Sequence, residues 1–246
     1  MLVKSQVKYI QSLGHKKFRD AEGVFVAEGP RIVQELLQCK YTSLNMLYAT
    51  REWLLENEAL VSGKGTAVVV ETQELERISF LFTPSRVLAI FRKPVFPVLE
   101  KPKGITLLLD NIQDPGNLGT IVRTADWFGL SQILCSPDTA DLFNPKVVQS
   151  TMGSIAHVDV LYLDLKEYIR AHPSIPSYAA MLDGEDLEQI QRIPEGLVLI
   201  GNESRGIQKE LAAMAHHRIR IPRRGTAESL NVAVATGIIL YMIQKS

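Results

Sequence analysis

The chain has 246 residues, which is enough for one large domain or two small ones. Hydrophobic residues make up 46% and charged residues 22%, a composition typical of globular proteins that excludes a disordered or fibrous chain. Lys plus Arg and Asp plus Glu number 27 each, so the net charge is zero. This balance excludes a protein that binds nucleic acid through overall positive charge, but it leaves room for a local basic patch.

The N-terminus carries such a local cluster of positive charge. The first 19 residues contain no Asp or Glu, and they also lack the apolar core of a signal peptide. Two interpretations are open: a solvated face or frayed tail, and an arm that contacts phosphate groups. The basic residues of the cluster are Lys4, Lys8, Lys16, Lys17 and Arg19.

Cysteine and histidine usage predicts a cytoplasmic protein without a metal site. Cys39 and Cys135 are far apart in the sequence and predict reduced thiols rather than a disulfide framework. His216 and His217 are predicted to be solvated, because adjacent side chains point in different directions. The longest apolar stretch, residues 232–243, is shorter than the about 20 residues of a membrane span and predicts a buried helix. We therefore expect no metal and no membrane association.

The first 95 residues are predicted to form a small α/β domain. Pro30 begins a predicted amphipathic helix. Short apolar runs predict strands at residues 44–48, 67–70 and 86–91, and the last of these alternates between two faces. Residues 93–103 then combine three prolines with three lysines, which predicts an extended linker.

From residue 105 onward, predicted strands alternate with predicted helices. The predicted strands are residues 105–110, 131–136, 157–163, 177–181, 197–201 and 219–222. The predicted helices are residues 118–129, 146–153, 165–172 and 229–244. Asn144 and Asp164 are typical N-cap residues for two of the helices. This alternation predicts a parallel sheet covered by helices on both faces.

Three polar segments that contain glycine lie at the carboxyl ends of predicted strands, where open α/β sheets bind ligands. The first, residues 107–129, has a turn signal at residues 114–117 and contains Arg123, which could instead pair with Asp126 on the surface. The second, residues 197–207, could be a simple turn. None of the segments matches a dinucleotide fingerprint or a P-loop, which disfavours a Rossmann oxidoreductase.

The third segment, residues 219–241, joins a basic loop to a long apolar helix. Arg223 and Arg224 are candidate phosphate contacts. Ser229 is a candidate N-cap for the helix, so a purely structural role for its hydroxyl is also open.

In this order and spacing, the three segments resemble the three motifs of the SpoU family of RNA ribose methyltransferases, in the SPOUT superfamily. The matching stretches are DNIQDPGNLGTIVRTADWFG, LIGNESRGI and IPRRGTAESLNVAVATGIILY. More loosely, KFRDAEGVFVAEGPRIVQELL (residues 17–37) resembles the start of a substrate-binding domain with a ribosomal-protein L30e-like fold. The resemblance implies an α/β fold with a parallel sheet and a C-terminal trefoil knot, preceded by a small α/β L30e-like domain. The domains would be residues 1–95 and 105–246, with a linker at residues 96–104.

The resemblance further implies transfer of a methyl group from S-adenosyl-L-methionine to a ribose 2′-hydroxyl of RNA by a homodimer. The implied catalytic residues are Asn117, Arg123, Glu203, Ser229 and Asn231. The implied cofactor-binding residues are Met152, Gly201, Asn202, Ile221 and Leu230. The basic cluster at the N-terminus, with Arg223 and Arg224, is expected to contact RNA.

The sequence leaves alternatives for the role of Arg123 and for the RNA substrate. Arginine stays protonated in proteins, so Arg123 is expected to grip a phosphate and orient the ribose, with a general-base role as the alternative. Ribosomal RNA is the expected substrate, and transfer RNA is the alternative. A non-catalytic RNA-binding protein is disfavoured because Asn117 and Arg123 are both present. The NLG…R and SLN patterns favour ribose over base methylation.

Overall fold

A computed structural model describes residues 1–96, 104–190 and 192–245 of the chain. The strands, in chain order, are β1 (Val24–Glu28), β2 (Leu44–Ala49), β3 (Thr66–Val69), β4 (Val87–Arg92), β5 (Ile105–Asp110), β6 (Gln132–Cys135), β7 (Asp159–Tyr162), β8 (Ser177–Asp186), β9 (Gly196–Gly201) and β10 (His217–Arg220). The helices are α1 (Lys4–Ser12), α2 (Lys16–Glu22), α3 (Pro30–Gln38), α4 (Arg51–Glu56), α5 (Glu58–Val61), α6 (Thr72–Glu76), α7 (Pro115–Trp127), α8 (Pro145–Thr151), α9 (Leu165–Ala171), α10 (Lys209–Ala213) and α11 (Val232–Gln244).

The chain divides into two compact units. The first unit comprises Met1–Val95 together with Asp141–His157, and the second comprises Phe96–Ala140 together with Val158–Ser246. The predicted linker at residues 96–104 lies, except for its two end residues, outside the described residues. The domain boundaries therefore stay predictions, although the structure adds that a segment from the later part of the chain packs in the first unit.

The first unit contains a mixed sheet with the strand order β1-β4-β2-β3. Strand β4 is antiparallel to β1 and β2, whereas β3 pairs with β2 in parallel. The predicted helix at Pro30 and the predicted strands β2, β3 and β4 are confirmed. Strand β4 is buried on both faces except at Arg92, so its alternating sequence does not separate a solvated face from a core face.

The basic N-terminus is helical, which excludes a frayed tail and leaves both the solvated face and the phosphate-contacting arm open. Val7 and Ile10 of α1 are buried in the core of the first unit, and this packing stabilises the helix. Helix α2 ends at Gly23, whose φ of 63° is the left-handed conformation that glycine adopts most readily. Later in the chain, α8 packs against β1 in the same unit.

The second unit contains a six-stranded sheet with the order β10-β8-β9-β5-β6-β7, and every pairing in it is parallel. The predicted parallel sheet is confirmed. The chain enters at β5, continues to β6 and β7 on one side, and then places β8, β9 and β10 on the other side. The order therefore reverses beside β5, which is where loops diverge and ligands bind in such sheets.

Several predicted boundaries shift in the second unit. Residues 114–117 are not a turn, because Asp114 is the N-cap of α7 and Pro115 begins the helix. Helix α11 begins three residues later than predicted, and Asn231 rather than Ser229 is its N-cap. The predicted N-caps Asn144 and Asp164 are confirmed. Within the described ranges, no helix combines the length and apolarity needed to cross a bilayer.

Candidate active site

Side chains from all three polar segments meet in one chain of hydrogen bonds in the second unit. The Asn117 Nδ2 atom donates to Glu203 Oε1 at 2.7 Å. The Asn231 Nδ2 atom donates to Asn117 Oδ1 at 2.9 Å. The chain Asn231–Asn117–Glu203 therefore joins the first turns of two helices to the loop after β9.

Helix capping fixes the direction of this chain. Asp114 caps α7 by accepting from the Asn117 backbone N–H at 2.8 Å. The Asn231 Oδ1 atom caps α11 by accepting from the backbone N–H groups of Ala233 and Val234, which leaves its amide nitrogen to donate to Asn117. Because the Glu203 carboxylate only accepts, each amide has one orientation that satisfies all of these bonds. Both hydrogen bonds of the network are therefore donated in one direction, from Asn231 to Asn117 and from Asn117 to Glu203.

The loop that carries Glu203 is tightly folded. The Asn202 Oδ1 atom accepts from the backbone N–H groups of Ser204 and Arg205, and its Nδ2 atom donates to the Asn111 carbonyl at 2.8 Å. The backbone of Asn202 also exchanges two hydrogen bonds with Gly206. A Cβ atom at Gly201 would lie 2.2 Å from the Gly206 carbonyl carbon, so only glycine fits there. This loop is built to hold one conformation.

A buried carboxylate that the sequence analysis did not select anchors the far end of the same loop. Asp110, the last residue of β5, is 1% exposed. Its Oδ2 atom accepts from the Gln208 backbone N–H at 2.7 Å, and its Oδ1 atom accepts from Gln208 Nε2 at 2.8 Å. The sequence does offer a sign of this residue, because an acid ends the apolar run of a predicted buried strand. A charge in such a place needs hydrogen-bond partners.

Two of the five candidate catalytic residues have no hydrogen bond to this network in the described part of the chain. Arg123 is exposed on α7, six residues beyond Asn117, which is about 120° around the helix axis. Ser229 is exposed in the loop before α11. The structure therefore joins Asn117, Glu203 and Asn231 by contact, and the roles of Arg123 and Ser229 stay predictions.

The candidate cofactor-binding residues fall in both units. Gly201 ends β9, Asn202 follows it, and Ile221 comes directly after β10, at the carboxyl edge of the parallel sheet. Leu230 is exposed immediately before Asn231. Met152 belongs to the first unit, where it ends α8 in the left-handed conformation with φ 53°.

The structure corrects one of the predicted RNA contacts. Arg19 is 1% exposed, and its Nη2 atom forms an ion pair with the Asp141 carboxylate at 2.6 Å. As placed, its guanidinium is not accessible to a phosphate. The other basic candidates are exposed: Lys4, Lys8, Lys16, Lys17, Arg223 and Arg224. Of these, Lys16 pairs with Asp20 and Arg224 pairs with Glu188.

His216 and His217 each contact a neighbouring side chain, and the two cysteines form no disulfide. His216 is not merely solvated, because its Nδ1 atom lies 2.8 Å from the hydroxyl of buried Ser177. The ring of His217 stacks on Tyr178. Both cysteines are free thiols, and burial raises the pKa of the Cys135 thiol. Among the described residues, no group of three or more His, Cys, Asp or Glu side chains is arranged to hold a metal ion.

Comparison with known proteins assigns the chain to a family. Residues 104–241 match the model of the SpoU rRNA methylase family, and residues 4–89 match the MRM3-like substrate-binding domain. The chain belongs to the SpoU rRNA methylase family. A relative in the same family is the 23S rRNA (guanosine(2553)-2′-O)-methyltransferase RlmP of Bacillus subtilis (strain 168), which is 30% identical over 97% of this chain and 96% of its own length.

Solved structures of the SpoU family match both units. The AdoMet-bound rRNA methyltransferase of Sinorhizobium meliloti is 32% identical, with a TM-score of 0.87 over 99% of this chain and 95% of that one. The SpoU methyltransferase AviRb of Streptomyces viridochromogenes, crystallised in complex with AdoMet, matches with a TM-score of 0.84 at 22% identity, over 98% of this chain and 97% of that one. The second likeness supports the fold alone.

Proposed function

We propose that the protein transfers a methyl group from S-adenosyl-L-methionine to a ribose 2′-hydroxyl of ribosomal RNA. The observation that carries the proposal is the hydrogen-bond chain Asn231–Asn117–Glu203, which ties together all three family motifs. The names of the relatives support the substrate, since RlmP of Bacillus subtilis acts on 23S rRNA. A ribosomal RNA substrate also makes the cytoplasm the proposed location.

The residues at the carboxyl edge of the sheet fit the proposed cofactor. The backbone around Gly201, Asn202, Ile221 and Leu230 offers carbonyl and amide groups to the adenosine and amino-acid parts of S-adenosylmethionine. The side-chain oxygen of Asn111 beside Asn202 is buried without a hydrogen-bond partner in the described residues, so it is an acceptor available to an amino group. When bound, the cofactor supplies an electrophilic methyl group, which needs no metal for activation. Met152, which the resemblance alone implies as a cofactor contact, belongs to the first unit and stays a prediction.

Side chains of the protein would hold and orient the ribose. The exposed guanidinium of Arg123 offers a planar fork that binds one phosphate through two hydrogen bonds. Asn117 and Asn231 have fixed amide orientations, so a ribose hydroxyl near them meets pre-organised partners rather than mobile ones. Glu203 fixes Asn117 and is therefore proposed as a positioning residue. The Ser229 hydroxyl is free in the described structure to contact the cofactor or the ribose.

We further propose that two copies of the chain complete the site. Helices α7 and α11 pack against each other, and both begin at residues of the hydrogen-bond chain. Their solvent face carries the large apolar residues Trp127, Val234 and Tyr241. Several exposed rings and aliphatic side chains on one pair of helices are a common feature of interfaces. A second copy on this face would cover the open side of the site.

The topology of the two units supports two further proposals, a trefoil knot in the second unit and an L30e-like fold in the first. In the second unit, β9 lies between β8 and β5, and α11 returns to pack on α7. We propose that the segment before α11 forms the trefoil knot of SPOUT proteins. In the first unit, the mixed sheet with its helices is proposed as the L30e-like substrate domain, which agrees with the match to a substrate-binding domain.

The direct test measures cofactor binding and methyl transfer with the full chain. Calorimetry should detect S-adenosylmethionine binding, and labelled methyl groups should enter ribosomal RNA at one position that resists alkaline cleavage. Asn117→Ala should lose transfer while keeping most of the folding stability. Binding of ribosomal RNA without any methyl incorporation would contradict the proposed activity, and incorporation into transfer RNA alone would contradict the proposed substrate.

A further inference from the structure

The first unit exposes aromatic rings beside the basic residues of its N-terminal helices. The Phe82 side chain is fully solvent-exposed, and Phe18 on α2 is 44% exposed. The ring of His15 contacts that of Phe18 edge-on, with 6.3 Å between the ring centroids. We call these three residues the aromatic surface. Single exposed apolar residues need no explanation, but rings of this size on adjoining turns do.

Two contacts connect the turns that carry the aromatic surface. Gly14, between α1 and α2, lies against the ring of Phe80, where an added Cβ atom would come within 2.9 Å of Phe80 Cε1. The Gln11 Nε2 atom of α1 donates to the Arg77 carbonyl at 2.9 Å. The turn before Phe18 and the segment before Phe82 are therefore neighbours.

Two buried charged side chains hold these turns in place. The Arg19 Nη1 atom donates to the carbonyls of Leu13 and Gly14 at 2.7 and 2.8 Å. The Glu28 carboxylate, on a residue that is 6% exposed, accepts from the Phe80 backbone N–H at 3.0 Å and from the Ser79 hydroxyl. Burying a charge is unfavourable unless it is hydrogen-bonded, and both of these groups satisfy that condition through bonds to the turns. It gives the exposed rings a rigid support.

The two N-terminal helices carry more lysines than acidic residues. Their exposed lysines are Lys4, Lys8, Lys16 and Lys17, and Phe18 directly follows the last two. The acidic groups of α2 are Asp20 and Glu22, and Asp20 is already paired with Lys16 and Lys93. A positive surface with exposed rings matches a ligand that has an anionic backbone and unpaired flat bases. Duplex RNA does not meet that description, because its bases are stacked and its readable groove is too deep.

We propose that Phe82 and Phe18 stack on unpaired nucleotides of the RNA substrate, while the lysines of α1 and α2 contact the flanking phosphates. The proposal rests on the proposed function, since it names the part of an RNA substrate that the first unit recognises. It selects single-stranded RNA over a protein partner, because the lysines would have no counterpart on an apolar protein face.

The test uses the full chain and a single-stranded RNA of about 12 nucleotides with 2-aminopurine at its centre. Stacking on a ring should quench the 2-aminopurine fluorescence. Phe82→Ala should reduce the quenching and weaken binding about five-fold or more, while the slope of affinity against salt stays unchanged. Combining it with Phe18→Ala should abolish the quenching. Phe82→Leu should behave like the alanine variant, and Phe82→Trp should restore binding. The affinity for the matching duplex should not change.

Matched controls separate stacking from its alternatives. Leu55→Ala removes an exposed apolar side chain on α4, outside the aromatic surface, and should change nothing. Replacing both Lys16 and Lys17 by Gln should reduce the salt slope but leave the quenching in saturated complexes. Absence of quenching with the unaltered chain, full binding by Phe82→Leu, or a changed sedimentation coefficient in Phe82→Ala would overturn the proposal, and the last would assign the surface to protein contacts. Failure of the proposed function would show separately, as absent S-adenosylmethionine binding by the unaltered chain.

Discussion

Arg19 in the first unit and Asp110 in the second are both 1% exposed, and both fix a loop through hydrogen bonds to its backbone. They differ in the number of segments they hold. Arg19 bonds both to the turn at Leu13 and Gly14 and to Asp141, which is 122 positions later in the chain, whereas both hydrogen bonds of Asp110 go to Gln208, which is 98 positions later. One buried charge therefore ties two separate segments together, and the other ties a single loop, the one that carries Glu203, to the end of β5. The first should therefore govern stability and the second should govern activity.

The largest effect is expected from Arg19→Met. The substitution leaves the Asp141 carboxylate and two carbonyls without their donor, so unfolding free energy should fall by about 3–5 kcal/mol. Urea denaturation of the full chain measures it. Adding Asp141→Leu should recover part of the loss, because the unpaired carboxylate is then removed. A loss below about 1 kcal/mol would mean that the ion pair is dispensable, and the contrast between the two units would disappear.

Arg123→Ala tests the exposed arginine of the second unit. We expect kcat/KM for methyl transfer to fall by about 100-fold or more, because a group that contacts the reacting nucleotide is lost. The midpoint of urea unfolding should barely move, since surface substitutions usually cost less than about 0.5 kcal/mol. Arg123→Lys keeps the charge but not the planar fork, and it should restore little activity. Normal turnover in the alanine variant would refute the assigned role.

Asp110→Asn tests the anchor of the loop that carries Glu203. An asparagine keeps one acceptor but turns a donor towards the donors of Gln208, so we expect a loss of about 1–3 kcal/mol in stability. The kcat for methyl transfer should fall about ten-fold at a temperature where the variant stays folded, because the loop that carries Glu203 loses its anchor. Gln208→Ala removes only the side-chain bond and should have the smaller effect on both quantities. Unchanged kcat with reduced stability would make Asp110 a purely structural residue.

The smallest effect is expected from a surface ion pair of the first unit. Hydrogen bonds from Lys16, and then from Lys93, hold the pKa of the Asp20 carboxyl below its ordinary value. A lowered folded-state pKa stabilises the fold above the unfolded-state pKa, and that contribution is lost as pH falls through the folded-state value. Asp20→Asn should therefore cost less than about 1 kcal/mol at neutral pH and progressively less below about pH 4. Parallel urea titrations at both pH values check this, and a difference that grew in acid would contradict it.

The sequence predicted the second unit better than the first. The apolar runs that predict the strands from β5 to β9 are each local, and the resemblance to the three family motifs implies that Asn117, Glu203 and Asn231 lie in one site. Strand β1 and helices α1 and α2 were not predicted, because their stability comes from packing in the first unit rather than from a clear local period.

Burial was the main quantity that local patterns did not reveal. Arg19 stands among four exposed lysines in the sequence, and its partners, the carbonyls of Leu13 and Gly14 and the distant Asp141, are apparent only in the fold. Ser229 and Asn231 are both favourable N-cap residues, and the structure selects Asn231, whose side chain also reaches Asn117. Asp110 was overlooked because an acid at the end of a strand does not reveal which donor it will meet.

Because the first unit includes Asp141–His157, it is completed late in synthesis and cannot be isolated by a single cut of the chain. During translation, the opening 95 residues emerge without the piece that carries Asp141 and α8, so their packing stays incomplete until about 60 further residues have been made. A protease cut near residue 100 would separate two polypeptides but not two folding units. Isolating the N-terminal unit intact would require grafting the later segment back onto it.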